Sequence, residues 1–415
     1  MLIFLLFFMK YESATPYFIL FSLWLLVFSA SSQIMIIAPI LPEIGKALAT
    51  DVELLGNLVT VYAVMVGIFA IIMGPFSDKI GRRKILLIGT GCMAVFLYSH
   101  ALVTDFTSFL IVRAMAGMAG GVLSGAAVAY VGDYFPYEKR GWANGWVMSG
   151  IAVGQILGIP LGTFLAEQFG FKFPFIVFGI IMSLTFIIIY FKVPQPNVEL
   201  HTDKLTVFGS LTKYIELLKR TDVSFVALCY LLMFLSLSVF IIYFPTWLEK
   251  SFDSSLTTIG YIFAVGGVAN VIAGPSSGWI SDKIGRKNMI ITSCLGLSLL
   301  MVGTTFFVTD LYFAFILFPI AMILIAMRIS PFQALSSELV KSNNRGTMMS
   351  LLVAIGQVGY GLGGSIAGPL YSMKGYASNT FFGASAIFIT AIVVWKFVPE
   401  PELKTKPLPE PSIIE

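Results

Sequence analysis

Charged residues are scarce in this sequence. Only 12% of its 415 residues are Asp, Glu, Lys or Arg, 57% are hydrophobic, and the mean hydropathy is +0.90. A soluble domain carries about 25% charged residues. Since too few polar side chains are present to cover a water-exposed globule, the composition excludes a soluble protein.

The residue patterns that build catalytic centres are also missing. The chain has 2 histidines and 3 cysteines, and it contains no Cys-x-x-Cys, His-Glu-x-x-His or Gly-x-x-x-x-Gly-Lys-Ser/Thr segment. We therefore expect no metal site, no enzyme and no direct use of ATP. Cys92, Cys229 and Cys294 lie in apolar stretches and are interpreted as small core residues.

Long apolar runs take up most of the chain. Each is close to the roughly 20 residues that a helix needs to cross a bilayer, and they are too long for the strands of a membrane barrel. The twelve runs are roughly 15–38, 54–74, 85–104, 107–131, 142–165, 171–192, 223–246, 256–278, 288–307, 311–336, 347–371 and 377–397. The sequence predicts an all-α integral membrane protein with twelve spans.

The lysines and arginines are distributed unequally between the two sides of the predicted bundle. Only Lys46, Lys172, Lys250 and Lys374 fall on one side, and only Arg113 and Arg328 lie within spans. The rest fall on the other side, which the positive-inside rule makes cytoplasmic. We expect both termini in the cytoplasm and a plasma-membrane location. The net charge of +4 then comes from cytoplasmic loops and indicates no nucleic-acid partner. Residues 1–9 are apolar but too short to span, and either Met1 or Met9 could be the start.

A charged segment, Ser-Asp-Lys-Ile-Gly-Arg, occurs at 77–82 and again at 281–286, each time between two apolar runs. Other positions match at nearly the same spacing, which indicates two copies of one unit. They include Asp133 with Glu338, Arg140 with Arg345, Gly141 with Gly346, Gly154 with Gly359, and Gly158 with Gly363. Six spans per copy give both copies one orientation, a parallel repeat that occurs in transporters with a midplane substrate site.

This repeat predicts the domain organisation. We expect a cytoplasmic N-terminus (1–14), a six-helix bundle (15–192), a cytoplasmic loop with an amphipathic helix (193–222), a second six-helix bundle (223–397) and a cytoplasmic tail (398–415). The central loop could equally be a simple linker.

The motifs resemble those of the major facilitator superfamily (MFS). The segment 74–84 looks like its motif A, 278–288 looks like the second copy, and 110–117 resembles motif B. The resemblance implies secondary transport by alternating access, most similar to the drug and sugar efflux branch. It implies a small-molecule solute, a lipid bilayer, a monomer, no cofactor and an ion gradient as driving force.

Motif A is expected to gate the cytoplasmic end. By resemblance, Arg82 reaches Asp133 and Arg286 reaches Glu338, while Arg140 and Arg345 are further gate partners. The candidate gating residues are Gly74, Asp78, Gly81, Arg82, Arg83, Gly278, Asp282, Gly285 and Arg286. The alternative is that these charges only set the topology.

The fifth span resembles the glycine-proline motif C of antiporters. Its residues are Gly150, Gly154, Gly158, Pro160 and Gly162, with Ile159 between Gly158 and the proline. Glycines at every fourth position line one face of a helix. They predict either close packing between the two halves or a role in the direction of transport.

Arg113 and Arg328 are the strongest candidates for solute binding, because charges inside a membrane span normally face a cavity or a partner. The alternatives are that Arg113 snorkels towards the interface and that Arg328 bonds carbonyls freed by Pro331. The other candidate cavity residues are Ser32, Gln33, Tyr62, Tyr230, Phe234, Asn270 and Gln357. For each of these, packing between helices is the alternative role.

The first run lacks a carboxylate, and Asp133 and Glu338 lie only at helix ends. The main hypothesis is proton-coupled efflux of a small organic solute. The alternative is uptake or exchange of an organic anion bound by Arg113 and Arg328. Outside transport, a membrane sensor on a transporter fold is a further hypothesis.

Overall fold

A computed structural model describes residues 16–196, 207–341 and 344–400, except the side chains of 74, 75, 77, 78, 207–211 and 213. The described residues contain eighteen α-helices, one 3-10 turn and one π-helical turn, and no β-strand. They include 12 helical spans that are long and apolar enough to cross a membrane. This confirms the predicted all-α membrane fold. The predicted N-terminus and nearly all of the predicted tail lie outside the described residues.

Ten helices make the first half. They are α1 (Pro16–Met35), α2 (Ile37–Ala47), α3 (Val52–Leu55), α4 (Asn57–Ile80), α5 (Arg82–Ser99), α6 (Phe106–Leu123), α7 (Ala126–Tyr134), α8 (Tyr137–Val153), α9 (Ile159–Phe169) and α10 (Phe173–Lys192). A 3-10 turn, His100–Leu102, follows α5, and a π-helical turn, Gly154–Gly158, joins α8 to α9.

Helix α11 (Val207–Leu218) lies between the halves in sequence, and seven helices make the second half. These are α12 (Thr221–Ile242), α13 (Phe244–Phe252), α14 (Leu256–Ile284), α15 (Arg286–Phe307), α16 (Leu311–Glu338), α17 (Arg345–Lys374) and α18 (Tyr376–Phe397). The amphipathic helix predicted in the central loop corresponds to α11.

The two Ser-Asp-Lys-Ile-Gly-Arg segments form matching turns. Gly81 separates α4 from α5 with φ 102°, and Gly285 separates α14 from α15 with φ 93°. Side chains other than hydrogen disfavour this region, so glycine lets the chain reverse between two spans without strain. We call the side of the bundle with these turns the hinge end and the opposite side the far end.

The fifth span is irregular where its glycines lie. Its π-helical turn, Gly154–Gly158, ends two residues before Pro160, which has no backbone N–H to donate to the preceding turn. Single π-turns inside helices often mark functional positions. This turn faces both α1 and α14, so it lies beside the contact between the halves.

The two halves meet along two pairs of helices. Helix α4 packs against α17, and α9 with the preceding π-turn packs against α14. Helices α4 and α14 both begin at the far end. The residues along them that touch the opposite half therefore show how far the contact extends from the far end towards the hinge end. Gly67 in the middle of α4 faces Gln357, and Gly267 in α14 faces Gln155. The halves are therefore in contact from the far end to about the middle of the bundle, and we call this contact the far-end seam.

Candidate functional site

Arg113 forms the centre of a polar cluster in the first half. It lies on α6, about 10 Å along the helix from its far-end start at Phe106, at 1.5 Å per residue. Only 1% of its surface is exposed. Its Nη1 donates to Gln33 Oε1 at 3.0 Å and its Nε donates to the carbonyl oxygen of Leu58 at 3.5 Å. Arg113 is thus buried among α1 and α4 and does not snorkel to the interface.

Tyr62 completes the cluster from α4. The guanidinium carbon of Arg113 lies 4.3 Å from the centre of the Tyr62 ring, within cation–π range. Gln33 Nε2 donates to the Tyr62 hydroxyl at 3.0 Å. Among the described residues, no carboxylate forms an ion pair with Arg113. Its charge is balanced by a ring face and neutral acceptors, which an anionic or strongly polar ligand can displace.

The cluster lies beside the far-end seam. Thr60, two residues from Tyr62, donates through Oγ1 to the carbonyl oxygen of Gly361 on α17 at 2.6 Å. Tyr360, the neighbour of Gly361, lies within electrostatic range of the Arg113 guanidinium. Helix α4 therefore carries the Arg113 cluster on one side and the contact to the second half on the other.

The seam is built on glycines whose backbones approach closely. A Cβ on Gly56 would lie 2.0 Å from the carbonyl oxygen of Gly364, and a Cβ on Gly368 would lie 2.0 Å from that of Glu53. At the other helix pair, a Cβ on Gly260 would lie 2.1 Å from Thr163 Oγ1. Small residues at helix contacts are typical of membrane proteins, because packing replaces the hydrophobic effect there.

Three polar contacts cross the seam at its outer edge. The Tyr243 hydroxyl donates to the carbonyl oxygen of Val52 at 2.5 Å and accepts from the Gly56 N–H at 3.1 Å. Lys46 forms an ion pair with Glu249, which raises the pKa of Lys46. Glu167 accepts from the Thr257 N–H at 2.7 Å.

At the hinge end, each half has its own ion pair. Arg82 Nε lies 2.6 Å from Asp133 Oδ2, and Arg286 Nη1 lies 2.6 Å from Glu338 Oε1. Arg286 Nη2 also lies 3.4 Å from Asp282 Oδ1. Each pair joins a hinge turn to the end of the fourth span of its half. At Gly74 and Asp78 the structure describes only the backbone.

Arg140 and Arg345 each donate to a backbone carbonyl oxygen near the end of the fourth span of their half. Arg140 Nε donates to the carbonyl oxygen of Phe135 at 3.0 Å, and Arg345 Nε donates to that of Ser337 at 3.1 Å. They stabilise the turn after the fourth span of each half instead of pairing with Asp133 or Glu338.

Gln195 and Glu400 are hinge partners that the sequence reasoning missed. The Arg83 N–H donates to Gln195 Oε1 at 3.0 Å, and the Lys287 N–H donates to Glu400 Oε1 at 3.3 Å. Each side chain covers a hinge glycine, Gly81 or Gly285. The repeated Val-Pro-Gln-Pro at 193–196 and Val-Pro-Glu-Pro at 398–401 was the available signal. It ties the last span of each half to its hinge.

Two predicted aromatic residues form a group in the second half. Tyr230 and Phe234 on α12 have ring centres 6.0 Å apart, and Tyr230 lies 5.2 Å from Phe332 of α16. Asn270 on α14 and Gln357 on α17 are partly exposed. No contact joins these described residues to the Arg113 cluster.

The glycine face of the fifth span does not pack between the halves, and that expectation is corrected. A Cβ on Gly150, Gly158 or Gly162 would touch Trp24, Ser32 or Ile36 of the first span region. Ser32 packs against Gly158, and its hydroxyl donates to the carbonyl oxygen of Phe28 within α1 at 2.7 Å. The Ser32 side chain therefore faces the fifth span, whereas the side chain of its neighbour Gln33 faces Arg113.

Two more predicted residues lie elsewhere than expected. Cys92 is exposed on α5, unlike the buried Cys229 and Cys294, so its interpretation as a core residue was wrong. It lines a shallow apolar groove of about 440 Å³ with Leu87, Gly91 and Phe186. Arg328 is buried in the second half, near Cys294, and no contact brings it to Arg113.

The chain was compared with known proteins. The profile of the Major Facilitator Superfamily matches residues 23–322 and 226–413. YwfA, an uncharacterised MFS-type transporter of Bacillus subtilis (strain 168), is 25% identical over 90% of this chain and 88% of its own. The multidrug resistance protein MdtG of Yersinia enterocolitica is 26% identical over 90% of each chain. The hexuronate transporter of Bacillus subtilis is 23% identical over 85% of this chain and 88% of its own.

Solved structures share the fold. A D-xylose-proton symporter superimposes with a TM-score of 0.75 at 19% identity, covering 93% of this chain and 98% of its own. The family profile accounts for nearly all of the residues that form the twelve spans, the two hinges and the Arg113 cluster. The chain therefore belongs to the Major Facilitator Superfamily and is a multi-pass membrane transporter, not an enzyme.

Proposed function

We propose that this transporter exports a small organic solute across the plasma membrane by alternating access, in exchange for protons. In this proposal the hinge end and both termini face the cytoplasm. The observation that carries it is the position of the Arg113 cluster directly beside the far-end seam. A solute bound there can change the contact that closes one side of the protein.

The link between binding and closure runs through α4. Leu58 and Tyr62 contact Arg113, while Thr60 between them bonds to Gly361 in the second half. A solute that takes over the hydrogen bonds of Gln33 or Arg113 must shift Tyr62, and with it the turn that holds Thr60. Because the seam rests on close backbone contacts, a small shift of α4 loosens it.

Two relatives support efflux, and the positions of the carboxylates support proton exchange. MdtG proteins of two organisms, named for multidrug resistance, align with most of this chain. Carboxylates that make described contacts between helices lie at the ends of the spans: Asp133 and Glu338 at the hinge end, Glu167 and Glu249 at the far end. Glu167 and Glu249 bind the opposite half, so their protonation would weaken the seam.

Flux measurements in liposomes test the proposal. Purified protein is reconstituted, a pH gradient of either sign is imposed, and the movement of a broad panel of radiolabelled neutral, cationic and anionic solutes is followed. We expect solute to move against its gradient only when protons move in the opposite direction. Arg113→Gln should abolish this flux, whereas Arg220→Gln, in the loop before α12, should keep it. The absence of flux under any gradient would contradict the proposal.

A second candidate function is the uptake or exchange of an organic anion. It is favoured by one observation: neither Arg113 nor Arg328 forms an ion pair with a carboxylate among the described residues. The hexuronate transporter is a relative that is named for such an anion. In this case Arg113→Gln and Arg328→Gln should each abolish anion uptake while expression stays normal. If anion affinity is unchanged in both variants, this candidate is excluded.

A further inference from the structure

Arg328 has no protein partner for its charge in the part of the chain that the structure describes. The side chain is 1% exposed, yet its Nε and Nη1 atoms have no hydrogen-bond acceptor. No described carboxylate forms an ion pair with it. Arginine stays protonated in proteins, so the charge is not relieved by losing a proton. Arg113, by contrast, has two acceptors and a ring face.

The internal repeat shows that the fold does not need a charge here. The spacing that relates Asp133 to Glu338 relates Leu123 to Arg328. Leu123 is buried, and it lies 2.5 Å from where a Cβ on Gly89 of α5 would be. Arg328 likewise lies within electrostatic range of Cys294 on α15. An arginine in the second half thus occupies the place of a core leucine in the first half.

The polar groups around Arg328 do not supply acceptors. Ser293 of α15 donates to the carbonyl oxygen of Leu324, and Ser277 of α14 donates to that of Ala326. These hydroxyls donate to carbonyl oxygens of the turn before Arg328, and no described group accepts from its Nε or Nη1. The Cys294 thiol is a weak donor and a poor acceptor. The bonds to carbonyls near Pro331 that the sequence suggested are absent for Nε and Nη1.

We propose that Arg328 forms a binding site for a small monovalent anion in the core of the second half. Nε and Nη1 carry N–H groups on different sides of the guanidinium, and each can donate to a carboxylate oxygen or a halide because neither has a protein acceptor. A buried charge is expensive unless it is paired, so the anion stabilises the fold where Leu123 does so by packing. The anion is either a free inorganic ion or the carboxylate of a solute. The site lies apart from the Arg113 cluster and does not depend on the proposed efflux.

Thermal unfolding of the purified full-length protein in detergent tests the site. Chloride, nitrate or acetate replaces a bulky sulfonate at constant ionic strength, and tryptophan fluorescence reports Tm. We expect a saturable rise in the Tm of the wild type. Arg328→Leu, which carries the residue of the first half, should lose this rise and have at least the Tm of the anion-free wild type. Arg113→Gln should keep the rise.

A second variant keeps the test decisive if Arg328→Leu does not fold. Arg328→Lys retains the charge but loses the planar guanidinium and its Nε–H donor. The chloride concentration that gives half of the Tm rise should therefore increase by about tenfold. A response to chloride but not to acetate identifies a free inorganic ion, and competition by acetate identifies a carboxylate; both support the site. The proposal is overturned if the Tm of the wild type responds to none of the three anions. It is also overturned if the Tm of the Arg328 variants rises at the same anion concentration as that of the wild type.

Discussion

The hydroxyl of Tyr243, in the second half, accepts a hydrogen bond from the backbone N–H of Gly56, in the first half, at 3.1 Å. The same hydroxyl donates to the carbonyl oxygen of Val52. One side chain thus satisfies two backbone groups at the turn between α3 and α4. Since the hydroxyl belongs to the second half and both backbone groups belong to the first, the contact exists only while the far end is closed.

Removal of this hydroxyl should open the far end. Tyr243→Phe loses two hydrogen bonds of about 0.5–1.5 kcal/mol each, so the closed state should lose about 1–3 kcal/mol relative to the open one. That corresponds to roughly a 5- to 150-fold change in the open-to-closed ratio. Leu102 and Met373 are exposed at the far end in opposite halves. Double electron–electron resonance between spin labels at these two positions measures this ratio.

Tyr371→Phe is the control for this experiment. The Tyr371 ring stacks on Tyr243 at 5.3 Å, and the substitution keeps that ring. We expect its distance distribution to match the wild type. If Tyr243→Phe and Tyr371→Phe give the same distribution as the wild type, the Tyr243 contact does not hold the far end closed.

Backbone contact between α17 and the start of the second span gives a sharper steric test. A Cβ on Gly368 would lie 2.0 Å from the carbonyl oxygen of Glu53, whereas one on Gly361 would meet its nearest atom at 3.4 Å. Gly368→Ala should therefore prevent closure of the far end and abolish solute exchange. Gly361→Ala, on the same helix, should exchange solute at close to the wild-type rate. Equal exchange rates in the two variants would contradict the close contact.

The existence and length of the spans could be predicted from the sequence, because they depend on local hydropathy. The run at 311–336, for example, corresponds to α16, Leu311–Glu338. The hinges could be predicted for a similar reason, since the motif and its glycine recur. Which side of a span faces which neighbour could not be predicted in the same way.

Ser32 and Gln33 illustrate this limit. They are adjacent and both polar, but successive helical residues point about 100° apart at 3.6 residues per turn. Gln33 faces Arg113, and Ser32 faces Gly158. A signal did exist: residues 24, 28, 32 and 36 have the same spacing as the fifth-span glycines. The partners of Tyr243 had no signal in the sequence, because they are backbone groups.

The hinge ion pairs should couple to transport. Asp133→Asn removes the negative charge that pairs with Arg82, and we expect a loss of about 1–3 kcal/mol in the free energy of unfolding. Solute flux should fall as the hinge loosens. Combining Arg82→Asp with Asp133→Arg should restore part of the free energy of unfolding and part of the solute flux. Asp222→Asn, which breaks the Arg220 pair at the start of α12, serves as the control. A swap that restores nothing would show that Arg82 and Asp133 do not act as a pair.

The Arg113 cluster can be divided by substitution. Arg113→Lys keeps the charge but loses the planar fork that lies over the Tyr62 ring, so solute affinity should fall by about 10- to 100-fold. Tyr62→Phe keeps the ring face and loses only the hydroxyl that Gln33 contacts, so its effect should be smaller. Equilibrium binding of a transported solute to purified protein measures both. Equal affinity in Arg113→Lys and the wild type would remove the cluster from the binding site.

The central claim is that the far-end seam opens when the hinge end closes. Two spin-label pairs test it in a protein whose exposed Cys92 has been replaced by serine: Leu102 with Met373 at the far end, and Tyr137 with Lys341 at the hinge end. We predict that the solute or a change of pH lengthens the first distance and shortens the second in the same molecules. Distances that stay unchanged, or that change in the same direction, would contradict the account.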